Sequence, residues 1–203
     1  MGFPAAWSLA QHDRLMGLST LSRGVEANVA RLAWGITGAG HFLPGCADLI
    51  LDQAEVDLFL SRAAEEVVRM YGLEERLLIS SRRFYRESRS RASTPQVARF
   101  FRGDYDSLIV APATGNSVAK FSYGIADSLI SNLFAQAGKC RVPIIVLPTD
   151  VGPEIDSPGP KGGRVKVFPR PVDLEAVDRL RSFPGVTVVS SIAELKHRLE
   201  LNR

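Results

Sequence analysis

Small polar residues follow an uncharged, strand-like run near the middle of the chain. The run Ser107–Ala111 is typical of a strand buried on both faces, and a short turn leads from it into a helix predicted over residues 116–137. The first N–H groups of a helix have no partner within the helix, and its dipole is positive there, so this place favours an anion such as a phosphate. Thr114, Asn116 and Ser117 either help to bind a phosphorylated ligand there or, for Thr114 or Asn116, merely cap the helix.

A glycine-containing turn follows the first predicted strand, Arg31–Ile36. Residues 37–41 read Thr-Gly-Ala-Gly-His and precede a helix predicted over residues 42–53. A strand, a glycine turn and a helix in this order are typical of a loop that contacts a phosphate or a cofactor, although two glycines fall short of the full dinucleotide fingerprint. His41 would contact the ligand, donate a proton or pack as a first-turn helix residue.

These turns need a scaffold that brings them together. Strands and helices alternate along residues 31–203, which predicts a single α/β domain after an N-terminal extension at residues 1–30. The fold class is a Rossmann-like (flavodoxin-like) three-layer sandwich with a mainly parallel sheet, whose ligands bind outside the carboxyl ends of the strands. That edge would carry four turns, at residues 37–41, Ser61, residues 112–117 and residues 148–150. Ser61 would cap the helix after its strand.

Composition restricts the class of protein. The 203 residues are 45% hydrophobic and 23% charged, with a net charge of +3, as in an ordinary globular protein of one domain. No apolar run reaches the roughly 20 residues that a membrane span needs, and no signal peptide is evident, so we expect a cytoplasmic protein without a membrane partner. Its two cysteines are far apart and predict free thiols, no metal site and no four-thiolate iron–sulfur cluster.

An arginine-rich tract lies before the central strand. Residues 76–102 contain eight arginines and one acidic residue, a net charge of +7. Such a tract attracts anions, although no nucleic-acid-binding motif accompanies it, and its arginines equally suit structural ion pairs. We expect a long, mobile loop here, after a short strand at Leu77–Ile79.

Two further expectations concern local structure. The helix over residues 116–137 is predicted to be continuous and to end at a Gly138 cap. Residues 151–164 contain three prolines and four glycines in 14 positions and are predicted to form an irregular loop.

Several tracts resemble one family in the right order. PATGNSVAK at 112–120, GIADSLISN at 124–132 and VLPTD at 146–150 are similar to the FMN-binding flavoproteins related to the homo-oligomeric flavin-containing cysteine decarboxylases. Among these they most resemble the dihydromethanopterin reductase flavoproteins. The resemblance covers residues 31–150 well and the tail loosely, and it implies FMN as the cofactor. The cofactor-binding residues it implies, together with the turns above, are Thr37, Gly38, Ala39, Gly40, His41, Ser61, Pro112, Ala113, Thr114, Gly115, Asn116 and Ser117. By helix geometry, the FMN phosphate would lie at the helix start near Asn116.

The resemblance also implies a reaction and an assembly. A nicotinamide nucleotide, NADH or NADPH, would pass a hydride through FMN to dihydromethanopterin, giving tetrahydromethanopterin, in a homo-oligomer built from trimers. Arg82, Arg83 and Arg86 would dock an anionic substrate or form salt bridges between subunits. The catalytic residues are not assigned.

The related decarboxylases are the alternative, as is a flavin-binding protein without catalysis. Decarboxylases of this family carry a histidine shortly before the strand equivalent to Ser107–Ala111, and a Pro-x-Met-Asn motif. This chain has no histidine between His41 and His197, and it has Pro-Thr-Asp-Val at residues 148–151. Both differences favour a redox enzyme.

Overall fold

A computed structural model describes residues 30–89 and 94–201, so the expected extension at residues 1–30 falls almost wholly outside the described residues. The strands are β1 Leu32–Ile36, β2 Val56–Leu60, β3 Arg83–Arg86, β4 Ser107–Ala113, β5 Ile144–Pro148, β6 Ile155–Pro158, β7 Arg164–Val167 and β8 Val186–Val188. The helices are α1 Leu43–Leu51, α2 Arg62–Met70, α3 Glu74–Ser80, α4 Thr94–Phe101, α5 Gly115–Ser122, α6 Leu129–Lys139, α7 Pro171–Arg181 and α8 Ile192–Leu201.

Six strands form one parallel sheet in the order β3-β2-β1-β4-β5-β8. Every residue of β1, β2, β4 and β5 is buried, as expected for central strands covered by helices on both faces. The chain leaves β1 toward β2 on one side and returns to β4 on the other, so a crevice opens between the carboxyl ends of β1 and β4. The predicted three-layer α/β fold is confirmed.

Two apolar clusters fill the space between the sheet and the helices. On one face, Trp34 and Leu58 pack with buried side chains of α1, α2, α3 and α8. On the other, Phe59 and Val110 pack with α4, α5, α6 and α7. The buried indole of Trp34 donates a 2.7 Å hydrogen bond to the carbonyl of Ala111, which joins β1 to β4 by a side chain as well as by the sheet. None of the helices in the described ranges is both long and apolar enough to cross a membrane.

The predicted continuous helix over residues 116–137 is wrong. The chain forms α5 and then α6, because Gly124 takes a positive φ of 72° and Ser128 begins a new helix with a capping box to Ser131. Ile125 consequently lies between the helices and is 49% exposed. Gly138 lies inside α6 rather than beyond its end, whereas Cys140 is the C-cap.

The arginine-rich tract is also more ordered than predicted up to residue 89. Leu77–Ile79 is part of α3, not a strand, and β3 pairs in parallel with β2 along Asp57–Leu60. Backbone pairing with β2 orders this segment, and Arg82 and Arg83 form ion pairs with Glu55 and Asp57 beside it. Residues 90–93, the centre of the expected loop, lie outside the described ranges.

Residues 151–164 are not wholly irregular. They contain β6, which pairs antiparallel with β7. Asp156 pairs with Arg164 and Glu154 with Lys166, and these ion pairs support a ribbon that the prolines and glycines alone did not suggest.

Candidate functional site

Thr37 joins the two strands that flank the crevice. Its backbone N–H and its hydroxyl both donate to the carbonyl of Pro112, at 3.2 and 3.0 Å, and its oxygen accepts from the N–H of Thr114 at 2.8 Å. The side chain is buried, and these bonds use both its donor and an acceptor position. Thr37 therefore fixes the turn of residues 37–41 against the end of β4.

The start of α5 lies on the opposite wall. Thr114, not Asn116, is the N-cap, since its hydroxyl accepts from the N–H of Ser117 and donates to the Ser117 side chain at 3.0 Å. Asn116 is exposed, and Ser117 keeps its hydroxyl hydrogen for a further acceptor. The carbonyl of Ala113 accepts from the N–H of Thr149, which brings the turn after β5 beside this wall.

A carboxylate already occupies the start of α5. Oδ2 of Asp150 accepts from the N–H of Gly115 at 2.7 Å and from the Thr149 hydroxyl at 3.1 Å. A methyl group on Gly115 would lie 2.7 Å from Asp150 Oδ2 and 3.1 Å from Asp173 Oδ1, so only glycine leaves room for both carboxylates. Asp173 is bonded by the Arg170 guanidinium, and these bonds hold its pKa below the ordinary value.

Ser61 and the first turn of α2 pack against the glycine turn. The hydroxyl of Ser61 caps α2 by accepting from the N–H of Ala64 at 3.1 Å, and its O–H remains free to donate. A methyl group on Gly38 would lie 2.5 Å from the Cβ of Ala63, so the turn and the helix approach as closely as glycine allows.

The hairpin of β6 and β7 reaches the same turn. The hydroxyl of Tyr71, just after α2, donates to the carbonyl of Pro158 at 2.8 Å. A methyl group on Gly40 would lie 2.2 Å from that hydroxyl oxygen, so the tyrosine seals the outer side of the glycine turn. The hairpin is thereby held next to the crevice.

His41 stands at the mouth of the crevice, with its ring centroid 3.9 Å from that of Phe42. Its Nδ1 is buried and has no hydrogen-bond partner among the described residues. Burial lowers the pKa of the imidazole, the charge of Asp150 acts to raise it, and the charge of Arg164 lowers it again. The net effect is a lowered pKa, which favours the neutral imidazole.

The helix starts at this edge differ in charge. At five helix starts a carboxylate oxygen accepts a hydrogen bond from a backbone N–H group at or just before the first residue of the helix. Glu87 does so for both α2 and α6, Asp150 for α5, Asp173 for α7 and Glu194 for α8. The start of α1 has no acidic residue in its first turn and no side-chain cap. Among the described residues, the N–H groups of Gly38, Gly40 and His41 also have no acceptor. This turn is where the edge retains uncompensated positive potential.

The three predicted substrate arginines each form an ion pair within their own chain. Arg82 just precedes β3 and pairs with Glu55 at 2.6 Å, and Arg83, the first residue of β3, pairs with Asp57 at 3.3 Å. Arg86, at the other end of the strand, pairs with Glu74 at 2.8 Å and covers the Phe84 ring. Substrate docking by these arginines stays a prediction, and for Arg82 and Arg83 it would require the crevice of another subunit.

A parallel α/β sheet with glycine turn, small hydroxyls and helix starts around its switch point defines a nucleotide-type cofactor-binding protein. Residues 21–200 match the Flavoprotein family, and the chain belongs to it. The dihydromethanopterin reductase (acceptor) of Methanosarcina mazei is 35% identical over 227 aligned positions, which cover 79% of this chain and 95% of that protein. The aligned part of this chain, 79% of 203 residues, is shorter than the 227 aligned positions. The relative therefore carries insertions that this chain lacks.

Solved structures give the same result. Burkholderia xenovorans DmrB, crystallised in complex with FMN and described as a cubic protein cage for redox transfer, has a TM-score of 0.77. It is 38% identical, and the match covers 87% of this chain and 97% of that one. A dodecameric FMN-dependent decarboxylase from Escherichia coli, at 18% identity, a TM-score of 0.58 and coverage of 79% and 78%, shares the fold. The predicted resemblance is confirmed.

Sequence reasoning missed several residues of this edge as site residues. Asp150, Arg164, Arg170 and Asp173 surround the crevice, and Glu87 holds two helix starts beside it. Asp150 had a detectable signal, since it follows a buried strand at the predicted edge. The contacts of the others depend on segments far apart in the chain, which no local pattern indicates.

Proposed function

We propose that this chain is an FMN-dependent reductase that converts dihydromethanopterin to tetrahydromethanopterin. The observation that carries the proposal is the 35% identity to a dihydromethanopterin reductase over 95% of that protein. The similarity to DmrB, at 38% identity over nearly its whole length, supports FMN as the cofactor.

The residues at the crevice fit this cofactor. A phosphate needs several N–H or O–H donors that no carboxylate already occupies, and the turn of residues 38–41 with the free hydroxyl of Ser61 offers them. The start of α5, favoured from the sequence, is less suitable because Asp150 already takes the N–H of Gly115. We therefore place the phosphate at residues 38–41 and Ser61. Thr114, Asn116 and Ser117 would contact the remainder of FMN.

When bound, FMN accepts two electrons from one reactant and delivers them to the next. The chain's own residues bind and orient the reactants: Thr37 keeps the walls of the crevice together, and Tyr71 holds the hairpin over its rim. A reduced nicotinamide nucleotide is the proposed donor. The two cysteines of the sequence cannot supply the four thiolates of an ordinary iron–sulfur cluster, which favours a diffusible carrier.

Anaerobic flavin reduction tests this function. The purified chain is loaded with FMN and mixed with NADH or NADPH, and the visible flavin absorbance is followed. We expect one of the two nucleotides to reduce the flavin, so that its visible absorbance falls at least as fast as the enzyme turns over. Dihydromethanopterin should then reoxidise the flavin and restore the absorbance. A flavin that stays oxidised with both nucleotides refutes the donor. A chemically reduced flavin that dihydromethanopterin does not reoxidise refutes the reductase and leaves the decarboxylase or a non-catalytic flavin protein.

We also propose a homo-oligomer built from trimers. DmrB is described as a cubic cage, and a cube has three-fold axes through its corners. The exposed apolar side chains Val165 and Phe168, on and beside the hairpin, are suited to a subunit contact. Light scattering on the FMN-loaded protein tests the assembly, and a monomer at micromolar concentration would refute it.

A further inference from the structure

One carboxylate joins the two helical layers at the carboxyl edge of the sheet. Glu87 follows β3 directly, and its Oε2 accepts from the N–H of Arg62 at 2.8 Å. Its Oε1 accepts from the N–H of Leu129 at 2.6 Å. These are the first residues of α2 and α6, where an anion is favoured by the free N–H groups and by the helix dipole.

The two helices lie on opposite faces of the sheet. Ala64 and Val68 of α2 belong to the cluster under one face, and Leu129 and Leu133 of α6 belong to the cluster under the other. Glu87 therefore bridges the layers around the edge of the sheet. A residue that only capped one of the two helices would not need to contact both layers.

Each helix already has its own cap. Ser61 accepts from the N–H of Ala64, and Ser128 forms a capping box with Ser131. The segment that carries Glu87 is also fixed to α2, because the N–H and the hydroxyl of the next residue, Ser88, both donate to the Glu65 carboxylate, at 2.9 and 2.5 Å. What Glu87 adds is a fixed spacing between two helix starts.

Both helix starts connect to the walls of the crevice. On one side, Arg62 is next to Ser61, and Ala63 lies against the glycine turn at Gly38. On the other side, Asp127 just before α6 pairs with Lys120 of α5, with both carboxylate oxygens within 2.9 Å of Nζ. A shift of either helix start is therefore transmitted to one wall of the crevice.

We propose that Glu87 is a positioning residue of the cofactor site: it sets the spacing of the α2 and α6 starts and thereby the affinity for FMN. The proposal rests on the proposed function for the identity of the cofactor. Glu87 acts through Ser61 and the turn of residues 38–41, so its loss should weaken FMN binding, whereas the loss of a similar bond at a helix start far from the crevice should not.

Two matched variants test the role. Glu87→Gln keeps the size of the side chain and one acceptor oxygen but turns an NH₂ group toward one of the two N–H donors. Glu194→Gln makes the same change at α8, where Glu194 accepts from the N–H of Ser190 at 2.9 Å near the far edge of the sheet. FMN dissociation constants are measured by flavin fluorescence at a temperature well below both unfolding midpoints, and thermal unfolding is measured on the same samples.

We expect Glu87→Gln to raise the FMN dissociation constant by about tenfold or more, the scale of one lost charge-assisted bond, and Glu194→Gln to leave it unchanged. At saturating FMN, turnover by Glu87→Gln should return to the wild-type value. If Glu87→Gln does not fold, Glu87→Asp, which keeps the charge but is too short to reach both helices, takes its place.

The outcomes separate this inference from the proposed function. A wild-type chain that retains no FMN overturns both. A wild-type chain that binds FMN, beside a Glu87 variant that binds it equally tightly, overturns the positioning role alone. Equal weakening of FMN binding by the Glu194 variant also overturns it, because the effect would then follow general stability.

Discussion

Substitution of Gly38 by alanine tests the contact between the glycine turn and α2. The added Cβ would lie 2.5 Å from the Cβ of Ala63, whereas non-bonded carbon atoms prefer about 3.5–4.0 Å. The turn and the helix must therefore separate by about 1 Å or more. Overpacking of this kind costs about 1–3 kcal/mol, and a chain of this length loses about 2–4 °C of melting temperature per kcal/mol. The separation also moves Ser61 away from the turn, so we expect FMN to be lost from Gly38→Ala.

The partner of the clash supplies the rescue. Ala63→Gly removes the methyl group that the new Cβ would strike, and the next atoms of residue 63 lie at 3.4 and 3.5 Å, which is ordinary contact. Alone it should cost no more than about 1 kcal/mol. The double variant should regain FMN, as measured by flavin absorbance per chain, and most of its melting temperature. Gly138→Ala is the control, because nothing lies within 4 Å of its added Cβ. Full FMN content in Gly38→Ala, or no rescue by Ala63→Gly, would refute the reasoning.

Three further predictions concern single side chains. Asp150→Ala should lower the free energy of unfolding by about 1.5–3 kcal/mol in urea titrations, because Gly115 loses a charged acceptor; an unchanged midpoint would contradict this. Because burial puts the pKa of His41 below 6.5, the unfolded chain binds its proton first, so stability is lost as pH falls below 6.5, and His41→Gln should flatten that part of the profile; parallel profiles would exclude the effect. Tyr105→Phe should cost about 1.5–3 kcal/mol, because the buried Asp57 loses a 2.7 Å bond, with FMN affinity unchanged; a loss of FMN would show that the crevice depends on this distant pair.

The sequence was sufficient to predict the parallel sheet and the edge at which its turns meet. Uncharged runs such as Ile144–Pro148 report burial on both faces directly, and the order of strands and turns places the carboxyl ends together. Gly72 is a local signal of the same kind, because it follows the end of α2 with a φ of 67°, which glycine adopts without strain. These features are local or follow from topology rules.

The rest depended on contacts between distant segments. The apolar spacing of residues 116–137 continues across Gly124, so periodicity could not reveal a break that a glycine conformation and a serine cap create together. The ion pairs of Arg83 in β3 with Asp57, and of the preceding Arg82 with Glu55, join residues 26 and 27 positions apart, which no local pattern connects. The occupation of the α5 start by Asp150 joins residues 35 positions apart, and only the folded chain shows it.

The bond between Thr37 and Thr114 has a consequence for the order of assembly. The two residues are 77 positions apart, and Asp150, whose carboxylate bonds the N–H of Gly115, lies another 35 positions beyond Gly115. During synthesis, more than half of the chain must therefore be made before the wall opposite the turn of residues 37–41 can form. Closing so long a loop has an entropic cost that no contact offsets until β4 and β5 are in place, so we expect the pocket to form late in folding. A ligand that binds only the finished pocket adds its binding free energy to the stability of the folded chain. The cofactor therefore stabilises only those molecules in which the pocket has formed.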